Sequence, residues 1–150
     1  MRAEAETAPC PLERASGRVK IRGLSEQERL HLAAFFEPAL LERVRLRRLP
    51  RPLAAVAGIT LRSTVFLSRR WLEGQHLPLL FHELVHVVQY QRLGLWRFLW
   101  RYLRGWAAGG FRYRAIPLER HAYELQGRYL AGRGRGFRVA AEVEARLPDY

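Results

Sequence analysis

The chain has 150 residues and a formal net charge of +12 at pH 7, enough length for one domain with a real core. It contains no apolar run of about twenty residues, no apolar signal core in its N-terminal MRAEAETAPC, and one cysteine, Cys10; a spanning helix, secretion by that route, an internal disulfide and a thiolate-rich zinc cage are therefore not expected. A cytoplasmic setting follows by default, and the basic balance, carried by arginine except for Lys20, points to nucleic acid, anionic lipid head groups or acidic substrates unless it is merely a solvated surface.

Residues 1–17 mix Ala, Glu, Thr, Pro and Arg without periodicity and read as a loose leader. Arg18 to Arg22 alternates apolar and basic side chains, as a short exposed strand would. Ser25 followed by Glu28 is a capping-box signature. The helix it opens is expected to carry Leu30, Ala33, Ala34 and Phe36 inward, until Pro38 interrupts it or starts another. Val44 to Leu49 alternates as a strand with Arg45 and Arg47 facing water, ended by Pro50 and Pro52. Gly58 to Ser68, GITLRSTVFLS, reads as a β-hairpin turning at Arg62-Ser63, with Ile59, Leu61, Val65 and Leu67 as its apolar residues. Arg69 to Leu77 is expected as a loop with His76 exposed, and His31 as a surface or packing histidine.

Pro78 to Tyr90, PLLFHELVHVVQY, then places His82 and His86 four residues apart with Glu83 between them, in a run apolar enough for a buried helix. Residues i and i+4 share a helix face, so both imidazoles can close on one metal ion, and Glu83, about 100° further round, can reach a water there. This is the HExxH pattern of zinc hydrolases, in which the carboxylate takes the water's proton. Leu80, Leu84, Val87 and Val88 supply the far, buried side, and Gln89 extends the histidine stripe. From Leu95 to Ala107, Trp96, Leu99, Trp100, Leu103 and Trp106 fall on one helical stripe beside Arg97, Arg101 and Arg104. The expectation is that this face packs under the metal helix, because the core would otherwise be thin. The alternative is an interfacial helix, Trp96 to Trp106, resting on an anionic membrane.

Gly109 and Gly110 end that helix, and Phe111 to Arg114 follows as a basic aromatic loop. Pro117 suits a first helical turn, and the helix Leu118 to Tyr129 should supply a third metal ligand, since zinc needs another protein group. His121, beside the apolar stripe of Leu118, Ala122, Leu125 and Tyr129, is preferred on placement. Glu119 is the alternative third ligand, although its first-turn position already offers it a structural role at the helix dipole. Glu124 is a candidate hydrogen-bond acceptor for an imidazole. Tyr123, Tyr113 and Arg114 are candidate donors to a developing oxyanion. GRGRGFR, 132–138, is read as a mobile basic loop with a weak nucleic-acid signal, and residues 132–150 as a flexible basic tail with a short helix over Val139 to Leu147.

GITLRSTVFLS followed by LLFHELVHVVQY and, about thirty residues on, PLERHAYELQ resembles the small bacterial zincin-like domains of the DUF4157 type, related in outline to gluzincin metallopeptidases and to ImmA/IrrE-type minimal peptidases. The resemblance covers roughly residues 55–130, and HELVHVVQ is its most specific part. It implies an α+β, zincin-like fold over 18–131: a short twisted antiparallel or mixed sheet packed on the HExxH helix, with further helices. It implies Zn2+ as cofactor, His82 and His86 as ligands and Glu83 as general base. In the family a later helix supplies a Glu ligand from an E-x-E-A pattern; here the matching segment is Glu119-Arg120-His121-Ala122, with His at the ligand position. The functional expectation is a zinc-dependent metallopeptidase acting on a peptide or protein substrate. The alternative is a non-catalytic zincin-like module whose basic surface contacts anionic membrane or nucleic acid.

Overall fold

A computed structural model describes residues 21–50, 57–72, 77–132 and 136–150. The expected leader, Lys20, His76 and part of the glycine-arginine run lie outside these residues. The helices are α1 (Glu26–Leu32), α2 (Pro38–Arg43), α3 (Arg69–Leu72), α4 (Leu77–Leu93), α5 (Leu95–Ala108), α6 (Pro117–Ala131) and α7 (Val139–Arg146). The strands are β1 (Arg45–Arg48), β2 (Gly58–Leu61) and β3 (Thr64–Leu67), so the class is α+β.

Helix α4 is the axis of the molecule. Every residue from Leu80 to Tyr90 is buried, as befits a helix that is apolar on most of its circumference and has neighbours on all sides. It packs on α6, α7, α5 and β2. The sheet is mixed, in the order β1-β3-β2. β1 runs parallel to β3 in the register Leu46 to Val65, and β2 pairs antiparallel with β3 across the expected turn, where Arg62 takes φ 57°. Arg22 extends the sheet by a bridge to Leu46, the visible end of the first expected strand. β2 is an edge among the described residues.

Several faces differ from the sequence expectation. The capping box forms, with Ser25 accepting from the Glu28 amide, but α1 ends at Leu32 and Ala33 to Phe36 turn sharply. This ending buries Leu32, Phe35 and Phe36 and leaves Leu30, Ala33 and Ala34 exposed. Phe35 and Phe36 then join Phe81, Tyr129 and Phe137 in a ring cluster that locks the α1–α2 turn onto α4 and α6. Pro38 starts α2 at its first turn. In β2 the alternation is reversed: Ile59 and Leu61 face outward, and Thr60 faces α4. Arg45 faces water, whereas Arg47 is half-buried. Part of the expected loop after the hairpin is helical, as α3.

The largest difference is α5. Its core face is Leu95, Phe98, Leu99 and Tyr102, with Phe98 stacked on Tyr90 at 3.7 Å between ring centroids. Trp96, Trp100, Leu103 and Trp106 face outward. The helix carries two apolar stripes, and the smaller one fits against α4. Residues 136–150 of the expected tail contribute to the core: α7 packs on α4, and Val139, Val143 and Tyr150 are buried.

Candidate metal centre

The hydrogen-bond requirements of a buried helix explain the centre. His82, Glu83, His86 and Gln89 are each at most 5% exposed, and buried polar groups demand partners. Gln89 donates to the Leu118 carbonyl at 3.1 Å, which turns its own carbonyl toward His86 Nδ1, 2.8 Å away. Nδ1 therefore carries a ring proton, and Nε2 is the nitrogen turned to the site, its lone pair free once the ring is neutral. His86 Nε2 lies 3.2 Å from His82 Nε2. A single oxygen of Glu119, Oε2, lies 3.3 Å from the first of these rings' partners, His82 Nε2, and 3.4 Å from His86 Nε2.

These three atoms form a nearly equilateral triangle. Around a tetrahedral ion with ligand bonds of about 2.0–2.1 Å, donor atoms sit about 3.3 Å apart, so the donor set fits Zn2+ in type and spacing. Among the described residues His82, His86 and Glu119 are the group of metal-ligating side chains that converges in this way. Charge is balanced within it. Burial pushes the Glu119 carboxyl up, but the hydrogen bonds of His82 and His86 outweigh that and hold it below the ordinary carboxylate range. Burial pushes His86 down, yet its hydrogen bond and charge pairing with Glu119, with Glu83 adding, carry it up to about 9.

His121 does not join the group. The buried stripe of α6, Leu118, Ala122 and Leu125, has Glu119 on one flank and His121 on the other, about 160° apart around the axis. Packing on α4 brings the Glu119 flank to the imidazoles. His121 Nδ1 instead pairs with the Tyr150 hydroxyl, and burial lowers its pKa. Gln89 also donates to Tyr150 at 3.2 Å, so a chain of hydrogen bonds runs from His86 through Gln89 to Tyr150 and His121. Glu124 is turned to the surface, where it pairs with Arg146 at 3.0 Å. No protein-family model, curated protein or solved structure matches the chain.

Glu83 faces β2. Thr60 donates to its Oε2 at 2.6 Å, and Oε1 lies where a side chain on Gly58 would be: a Cβ there would sit 2.5 Å from it. Burial raises the Glu83 pKa, with His86 and Thr60 partly offsetting the rise. A cavity of about 340 Å3 opens beside Glu83, His86 and Glu119, walled by Phe98, Leu99, Tyr102 and Tyr113. Tyr102 donates to Glu119 Oε1 at 3.2 Å. Tyr113 stands beside Glu119 on the same wall, and partial burial, followed by that carboxylate, raises its pKa. Tyr123 lies against His82, ring centroids 4.5 Å apart, with Arg114 over its outer face; of the three candidate oxyanion donors Tyr113 is the one on the cavity wall. Thr60, Gly58, Tyr102 and Tyr150 escaped the sequence reading. Thr60 had a signal, as the polar residue between two β-formers in a strand leading to the HExxH helix.

Proposed function

We propose that the chain is a zinc-dependent hydrolase of peptide bonds with a zincin-like arrangement. The observation that carries this reading is the triangle His82, His86 and Glu119 beside an independently held carboxylate, Glu83, at a cavity. A structural zinc site is closed by four protein donors, whereas three donors with adjoining space leave room for a reacting group. Zn2+ on His82, His86 and Glu119 would supply the Lewis acidity that makes water nucleophilic near neutral pH.

The chain's own groups do the rest. Glu83 accepts the proton of the attacking water and returns it to the leaving amine; its raised pKa suits a group that must hold and release one proton. Thr60 and the bare Cα of Gly58 fix where that carboxylate points. Tyr113 is the donor on the cavity wall available to the carbonyl oxygen as charge develops there. The edge of β2, unpaired by another strand among the described residues, can pair with an extended substrate backbone, and its outward Ile59 and Leu61 offer apolar contacts to substrate side chains.

Glu83→Gln tests the reading. It should lower hydrolysis of an unfolded protein substrate by about 10²- to 10⁴-fold while zinc content stays unchanged. Full activity in that variant would contradict the assignment. Because Gln removes a buried charge but keeps an acceptor for Thr60, the metal-free variant should melt higher than the parent, by about 2–4 °C for each 1 kcal/mol gained.

A further inference from the structure

The outward face of α5 has no partner among the described residues. Trp96 is 80% exposed, Trp100 68% and Leu103 56%, a cost in water that monomeric surfaces seldom carry in one contiguous strip. Arg97 and Arg104 lie one row to the side, about 80–100° round from Trp96. At the end of the helix Phe111 is 67% exposed and rests edge-on against Trp106. It takes φ 61°, a left-handed conformation that a bulky side chain rarely adopts. From Leu84 to Leu118 the sequence contains six arginines and no acidic residue.

We propose that this face docks the chain on an anionic phospholipid surface. Trp96, Trp100, Leu103 and Phe111 enter the head-group boundary, and Arg97 and Arg104 extend sideways to lipid phosphates, as long cationic side chains do at interfaces. Charge selects the occupant. A second copy would set these arginines against their own equivalents, whereas anionic lipid neutralises them, with each basic side chain near such a surface strengthening binding about fivefold. The inner face of the same helix, Phe98, Leu99 and Tyr102, walls the cavity. Docking therefore places the cavity about one helix diameter, roughly 10 Å, from the bilayer. Resting on the hydrolase reading, this makes a peptide segment at the membrane surface the substrate class.

Flotation of the full chain with phosphatidylglycerol-rich and pure phosphatidylcholine vesicles tests the docking. The chain should float with the anionic vesicles only, shift its tryptophan emission to the blue, and be released by salt. Trp96→Ala with Trp100→Ala should weaken partitioning by about tenfold or more. Arg97→Gln with Arg104→Gln should weaken it about 25-fold. All four side chains are surface groups, so unchanged far-ultraviolet dichroism and melting accompany both results. Glu83→Gln should float as the parent does, so failure of hydrolysis and failure of docking are separate outcomes. Equal binding to neutral vesicles, no binding to either, binding that both double variants retain, lipid-free self-association abolished by the tryptophan variant, or a preference for single-stranded RNA over the anionic vesicles would each overturn the proposal.

Discussion

Exchanging His82, His86 and Glu119 for apolar residues of similar size would relieve the chain of a buried charged cluster, and such exchanges are often neutral or stabilising. Their convergence on a common point is therefore hard to account for by stability. Glu119→Gln should weaken zinc affinity by more than about a hundredfold, beyond the loss usual for a residue that only orients a ligand. His121→Gln should keep it within about tenfold, because His121 acts through Tyr150 and Gln89. Competition with a chromogenic chelator measures both, and a larger loss in His121→Gln would reassign the third donor. His82, Glu83 and His86 could be picked out in the sequence because one helical turn relates them. His121 ranked above Glu119 on placement in the sequence, yet the structure brings Glu119 to the imidazoles, since each flanks the stripe of α6 and only the docking of α6 on α4 decides which flank meets them.

Among the elements, those with a strong local signal were legible. The Ser25 capping box, the Arg62 turn, Pro117 at the start of α6 and the Val139 helix all form as their residues dictate. The faces of α1, β2 and α5 were not legible, because each depends on what a neighbour offers. α5 illustrates this best: its heavier stripe of tryptophans suggested a core face, yet Leu95, Phe98 and Tyr102 complement α4 and Tyr90 more closely. If the chain is the proposed hydrolase, β2 would matter for its chemistry because it approaches Glu83 with a glycine. Gly58→Ala would press a methyl group into Glu83 Oε1, and a displacement of about 1 Å can cost about 10²-fold in rate. The expected result is a kcat lower by about that factor at unchanged zinc content; an unaltered kcat would show that the Gly58 contact does not hold the base in place.

For the molecule as a whole, charge and metal are linked through protons. His86, raised to about 9 in the metal-free fold, contributes stability that is fully present below its ordinary pKa of about 6.5 and is lost as pH rises through about 9. Glu119 is lowered, so its contribution is present above the ordinary carboxylate range and is lost only as pH falls below it. Zinc bound at the proposed centre would compete with the His86 proton, so the interval in which the metal-free protein loses stability would be the interval in which it gains affinity for metal. Among the described residues no helix is long and apolar enough to cross a membrane. The most direct measurement of the central claim is calorimetric titration of metal-free protein with Zn2+ at several pH values between about 6.5 and 9. One ion should bind per chain, with about one proton released and affinity rising about tenfold per pH unit; the absence of saturable binding, or affinity indifferent to pH across that range, would contradict a centre built from His82, His86 and Glu119.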